Sequence, residues 1–148
     1  MNGNSSSAIA RCSILTWNVH WMTRSHASAA AKRDLLLTIP WEIACLQEVG
    51  PRTYACLAEA FPGGTYAHTL HDSGDRHPHA VAILVRGGAT LRDARLVPVG
   101  EAVPGGYRQP ERALAADATV SGLPVTVASW HVPHAAGRSR HEREIRRE

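Results

Sequence analysis

The stretch Ile43-Ala44-Cys45-Leu46-Gln47-Glu48-Val49 constrains this chain more than any other. Four apolar residues in succession read as a β-strand buried on both faces, since a strand wetted on one side would alternate apolar with polar. Such a strand has no reason to end in Gln47 and Glu48 unless its end does something. In open α/β sheets, ligands gather outside the carboxyl ends of the strands, which places Glu48 where a substrate or metal would be met. The alternative is that Glu48 is the first solvated residue after the strand, because acidic side chains are mostly exposed.

The rest of the chain supports a folding sequence of one-domain size. Its 148 residues can bury a real core, and 44% hydrophobic with 20% charged residues is ordinary for a globular protein, not a disordered one. The net charge of +3, with nine histidines counted neutral, is compatible with a phosphate-bearing ligand without requiring one. Much of that excess lies in residues 138–148, where five arginines face three glutamates in a pattern typical of a solvated helix. Cys12, Cys45 and Cys56 are odd in number, and two lie among apolar residues, so they read as buried thiols in a reducing, cytoplasmic compartment. The polar, Ser-rich residues 1–7 form a disordered leader without signal-peptide character, and no run approaches the roughly eighteen apolar residues of a membrane span.

Taken in order, Ile14 to Val19 is a strand, the Ala-rich segment from about Ser28 to Leu37 a helix, and Pro51 to Phe61 a second helix with Pro51 at its start. From residue 65 the rhythm changes to short strand runs over 65–70, 80–85, 90–97, 112–120 and 123–131, which read as a meander. Ser121-Gly122 is a hairpin signal, with Pro124 kept near the start of its strand. Residues 137–148 read as a closing helix by charge spacing. Trp17, Trp21, Trp41 and Trp130 fit core and rim packing better than base stacking. Arg112 is more simply a surface residue than a phosphate contact. The histidines His68, His71, His77 and His79 invite a zinc module, but Gly74, Asp75 and Pro78 among them favour a solvated loop.

Three strand runs end in polar groups: Asn18, Glu48 and His131. Neighbouring strands place equivalent ends about 5 Å apart, so three such tips can converge on one cleft. Trp17-Asn18-Val19, then Cys45-Leu46-Gln47-Glu48-Val49, then the strand at Ala80 to Leu84, then Ser129-Trp130-His131-Val132 resemble, in order, the endonuclease/exonuclease/phosphatase family with its deoxyribonuclease-like fold. The Leu-Gln-Glu-Val element is the most specific of these.

The resemblance implies a layered α/β sandwich with flanking helices and metal-dependent hydrolysis of a phosphate ester, nucleic acid among the substrates; the lack of a membrane-length apolar run separately gives the expectation of no membrane partner. It implies that Glu48 holds Mg²⁺ or Mn²⁺, that Asn18 stands beside it as a metal or catalytic-site residue, and that His131 contacts the scissile phosphate. A hard divalent ion suits an oxygen ligand set with retained waters, and a histidine can donate to a phosphoryl oxygen as charge builds there. The resemblance covers about Ile14 to His134, the first half of the family's domain; the family's later Asp-x-Asn and Asp-His elements have no counterparts here. The expected organisation is a partial domain over residues 8–148, with impaired catalysis or, alternatively, a non-catalytic fragment that binds a partner. The oligomeric state is left open.

Overall fold

The structure, a computed structural model, describes residues 11–19, 25–67, 80–97 and 113–131. Within them the chain forms β1 (Ile14–Asn18), α1 (His26–Thr38), β2 (Ile43–Val49), α2 (Pro51–Ala60), β3 (Thr65–Ala67), β4 (Ala80–Val85), β5 (Thr90–Leu96), β6 (Ala113–Val120) and β7 (Leu123–Trp130). The strands make two sheets, one of four strands in the order β1-β2-β4-β3 and one of three in the order β5-β6-β7. β1 and β2 run parallel, as their connection through α1 requires, and the other pairs are antiparallel. This is an α+β sandwich of two facing sheets with helices on one side.

Strand alternation divides the apolar residues of β2 and β4 between two cores. Ala44, Leu46, Ala82 and Leu84 face Leu36 of α1 and Leu57 of α2, with Trp41 and Phe61 completing that layer. Ile43, Cys45, Val81, Ile83 and Val85 face Leu114, Ala116, Ala118, Val120 and Val127 of the second sheet. The double burial read from the sequence of β2 follows from this: helices cover one face and a second sheet covers the other.

α1 begins at His26, two residues before the expected start, because the Ser25 hydroxyl accepts from the Ser28 N–H at 3.2 Å and caps the helix. Its far end is held by Arg86, which follows β4. The guanidinium donates to the carbonyls of Leu36 and Leu37 at 3.2 Å each, of Trp41 at 2.7 Å, and of Ile39. It also lies 4.5 Å from the centre of the Trp41 ring. One cation thereby satisfies carbonyls that a helix end leaves without partners. α2 starts at Pro51, where a missing N–H costs nothing.

The expected meander divides between the sheets, with β3 and β4 joining the first and β5 to β7 forming the second. The Ser121-Gly122 hairpin is present, both residues lying in the left-handed region at φ 50° and 80°, as a two-residue turn matched to strand twist demands. Pro124 lies on β7, an outer strand of its sheet. Trp41 is core, whereas Trp130 stands 52% exposed. The leader, the four central histidines, Trp21, Arg112 and residues 137–148 lie outside the described residues.

Candidate active site at the strand ends

Because β1 and β2 are parallel and in register, with Asn18 opposite Gln47, their carboxyl ends lie side by side. β7 runs in the facing sheet and delivers His131 to the same end. Asn18 Nδ2 donates to Glu48 Oε1 at 3.0 Å, and His131 Nε2 lies 3.2 Å from that same oxygen. The structure therefore brings together all three residues named from the sequence. Glu48 is only 9% exposed and His131 7%, so Glu48 is not a solvated residue beyond a strand end.

The backbone explains how a carboxylate reaches this position. Gln47 pairs with Val81 and Val49 with Ala80, leaving Glu48 as an extra residue in a β-bulge. Simple alternation would put Glu48 on the helix side with Leu46 and turn Val49 toward the second sheet. The bulge instead returns Val49 to the helix-side core and lifts Glu48 out of the pleat toward Asn18 and His131. Glu48 adopts φ 55°, a left-handed conformation that costs a residue with a Cβ about 1–2 kcal/mol. Such strain persists where surrounding packing enforces it, and it concentrates at functional sites.

Two further features escaped sequence reading. The Ser129 hydroxyl, buried between the sheets, donates to the Leu46 carbonyl at 3.0 Å, and Gln47 Nε2 lies 3.3 Å from the same hydroxyl oxygen. Gln47 Nε2 also reaches the Cys45 carbonyl at 3.1 Å and Thr16 Oγ1 of β1 at 3.4 Å. From the helix layer, Lys32 is half-buried on the stripe that contains Ala29 and Leu36. Burial pushes its ammonium pKa down, and the Glu48 carboxylate opposes that shift, which places a cation within electrostatic reach of the site. Its spacing of three from Ala29 and four from Leu36 was the available signal.

The donor chemistry fits a hard divalent ion. A buried carboxylate beside a side-chain amide offers oxygen ligands of the kind Mg²⁺ or Mn²⁺ takes while keeping its waters. It does not fit zinc, which takes three or four nitrogen, sulfur or carboxylate ligands, and no group of three or more His, Cys, Asp and Glu gathers among the described residues.

No family model matches the chain, and no curated protein matches it significantly. Solved structures do. D. rerio TDP2 complexed with single strand DNA product is 17% identical, with a TM-score of 0.64 over 92% of this chain and 52% of that one. Truncated Caenorhabditis elegans TDP2 is 19% identical, with a TM-score of 0.64 over 91% of this chain and 50% of that one. A β-hairpin deletion mutant of beta toxin from Staphylococcus aureus is 13% identical, with a TM-score of 0.62 over 92% and 57%. The chain thus has the endonuclease/exonuclease/phosphatase-type fold expected from the order of its strand-end motifs. It spans about half the length of the structures it matches.

Proposed function

We propose that Glu48, Asn18 and His131 form part of a divalent-metal-dependent phosphoesterase site. The observation that carries this reading is the convergence of three strand ends from two sheets on one carboxylate oxygen, with the central residue held in a strained bulge. The fold supports it, and so does the single-stranded DNA product in the D. rerio TDP2 structure, which makes nucleic acid a substrate class to test first.

In this reading Glu48 and the Asn18 amide oxygen would hold Mg²⁺ or Mn²⁺, and the chemistry such an ion would supply when bound is polarisation of a phosphoryl oxygen and compensation of its negative charge. Asn18 Nδ2 fixes the Glu48 rotamer through its hydrogen bond, so the carboxylate needs no reorganisation when a ligand arrives. His131, held against Glu48 in a largely water-free corner, donates an N–H to a phosphoryl oxygen, where low dielectric strengthens the interaction. The Lys32 ammonium adds positive potential from the helix side. Residues 8–148 belong to this proposal as part of such a domain. The three cysteines, all free thiols, support a reducing compartment such as the cytoplasm. No described helix is long and apolar enough to cross a membrane.

The test is hydrolysis of bis-p-nitrophenyl phosphate and nicking of plasmid DNA by the full chain with Mg²⁺ or Mn²⁺. Glu48→Gln should abolish both; activity that survives this substitution would sink the site assignment. A partner-binding, non-catalytic role is favoured instead if the wild-type chain binds neither ion.

A further inference from the structure

Most of the layer between the two sheets is aliphatic, with Ile43, Val81 and Ile83 set against Leu114, Ala118 and Val120. Packed sheets of this kind stand about 10 Å apart. At the site end the filling changes. Ser129 is short enough for its hydroxyl to bond the Leu46 backbone directly at 3.0 Å, and Gln47 reaches the same hydroxyl from β2 at 3.3 Å. The contact is buried, Ser129 being 1% exposed, so bulk water does not compete for it. Its place in the two strands matters most: Leu46 and Ser129 each lie two residues before a site residue, Glu48 on β2 and His131 after β7.

We propose that Ser129 and Gln47 form a cross-brace that positions His131 against Glu48, fixing the gap between the two sheets where the ion and phosphate are to be held. The inference rests on the metal-site reading above and adds to it two positioning residues that make no contact with the ligands themselves. The physical reason is leverage. His131 and Glu48 belong to different sheets and no strand-pairing bond joins β2 to β7, so their separation depends on what spans the layer. A hydroxyl-to-carbonyl bond tolerates only a few tenths of an ångström of variation, whereas aliphatic contacts tolerate sliding. Through Thr16, Gln47 extends the brace to β1, which carries Asn18.

Mn²⁺ provides a test that does not depend on turnover. Titrated into the full chain, it should broaden the His131 ring resonances, assigned by their loss in His131→Asn, and its affinity can be read in parallel by electron paramagnetic resonance. Ser129→Ala should weaken Mn²⁺ binding by roughly tenfold, the low end of what losing a group that supports a metal site costs, and reduce the His131 broadening at saturation. Ser129→Thr, which keeps the hydroxyl, should restore both. Gln47→Met, which keeps the length and removes the donor, should weaken both to a smaller degree, and it decides the matter if Ser129→Ala does not fold. Val127→Ala serves as a control for general loosening of the same layer. Wild-type Mn²⁺ behaviour in Ser129→Ala and Gln47→Met overturns the brace while leaving the metal site standing, as does equal weakening by Val127→Ala. Absence of any His131 broadening in the wild-type chain overturns the metal site and the brace together.

Discussion

Each of the two sheets carries a register break with an acidic residue in the left-handed region: Glu48 at φ 55° in β2 and Asp93 at φ 49° in β5. The backbone device is the same and the settings are opposite. β2 is a central strand, and its bulge delivers Glu48, 9% exposed, to two other strand ends. β5 is an edge strand, and its bulge leaves Asp93 exposed, where Arg95 Nη1 donates to the Asp93 carbonyl at 3.1 Å and lies 3.6 Å from Asp117. A bulge at an edge twists the strand and discourages pairing with another chain. A strained acidic residue is therefore not a site by itself. What distinguishes Glu48 is the chemistry that other elements bring within reach of it.

The largest expected difference is catalytic. His131→Ala should lower kcat/KM for bis-p-nitrophenyl phosphate by about 10² to 10³, the usual effect of removing one donor to developing oxyanion charge. Asp93→Asn should leave it unchanged. A loss of similar size at Asp93 would erase the contrast between the two bulges.

Next in size is the anchoring that an arginine supplies beside each sheet. Arg86→Met removes bonds to four carbonyls and the contact with Trp41, and should destabilise by about 3 kcal/mol in urea denaturation. Arg95→Met loses only an exposed pair and should cost less than about 0.5 kcal/mol. Equal costs would mean that α1 is not held by Arg86.

Glycine substitution separates strain from contact. Asp93→Gly should stabilise by about 0.5–1 kcal/mol, because glycine adopts this conformation without a Cβ penalty. Glu48→Gly relieves the same strain but loses the bond from Asn18 and the contact with His131, so its net stability change should be smaller or of opposite sign. A full stabilising gain at Glu48 would show that those contacts contribute nothing to folding.

The smallest effect concerns the thiols. Burial between the sheets pushes the Cys45 thiol pKa up from its ordinary value of 9.0. The folded state thus holds its proton to higher pH than the unfolded chain. Its contribution is complete below pH 9 and is lost as pH rises from there through the raised folded value. Cys45→Ala should flatten the alkaline fall in melting temperature, and in the wild type a thiol reagent should modify Cys56 before Cys45.

Much of this molecule is legible in its sequence where the signal is local. The four apolar residues of β2, Pro51 at the head of α2 and the Ser121-Gly122 turn each act through neighbours a few residues away, and each appears in the structure as expected. Asn18, Glu48 and His131 were legible as polar ends of apolar runs. Ser129 and Lys32 were not, because a serine inside a strand and a lysine inside a helix are ordinary until the partner 83 residues away, for Ser129, or the carboxylate whose charge acts on it, for Lys32, is in place. Arg86 escaped notice for the same reason: its acceptors end a helix about fifty residues earlier.

The sequence by itself determined that a strand buried on both faces would end in a carboxylate, since hydrophobic patterning acts residue by residue. Only the tertiary structure decided where that carboxylate points. Period-two alternation assigns Glu48 to the helix-side core, and nothing in Leu-Gln-Glu-Val announces a left-handed glutamate. The bulge is enforced by Val49 packing into that core on one side and by Asn18 and His131 receiving the side chain on the other. Its cost is local, and the interactions that offset it come from three separate parts of the chain.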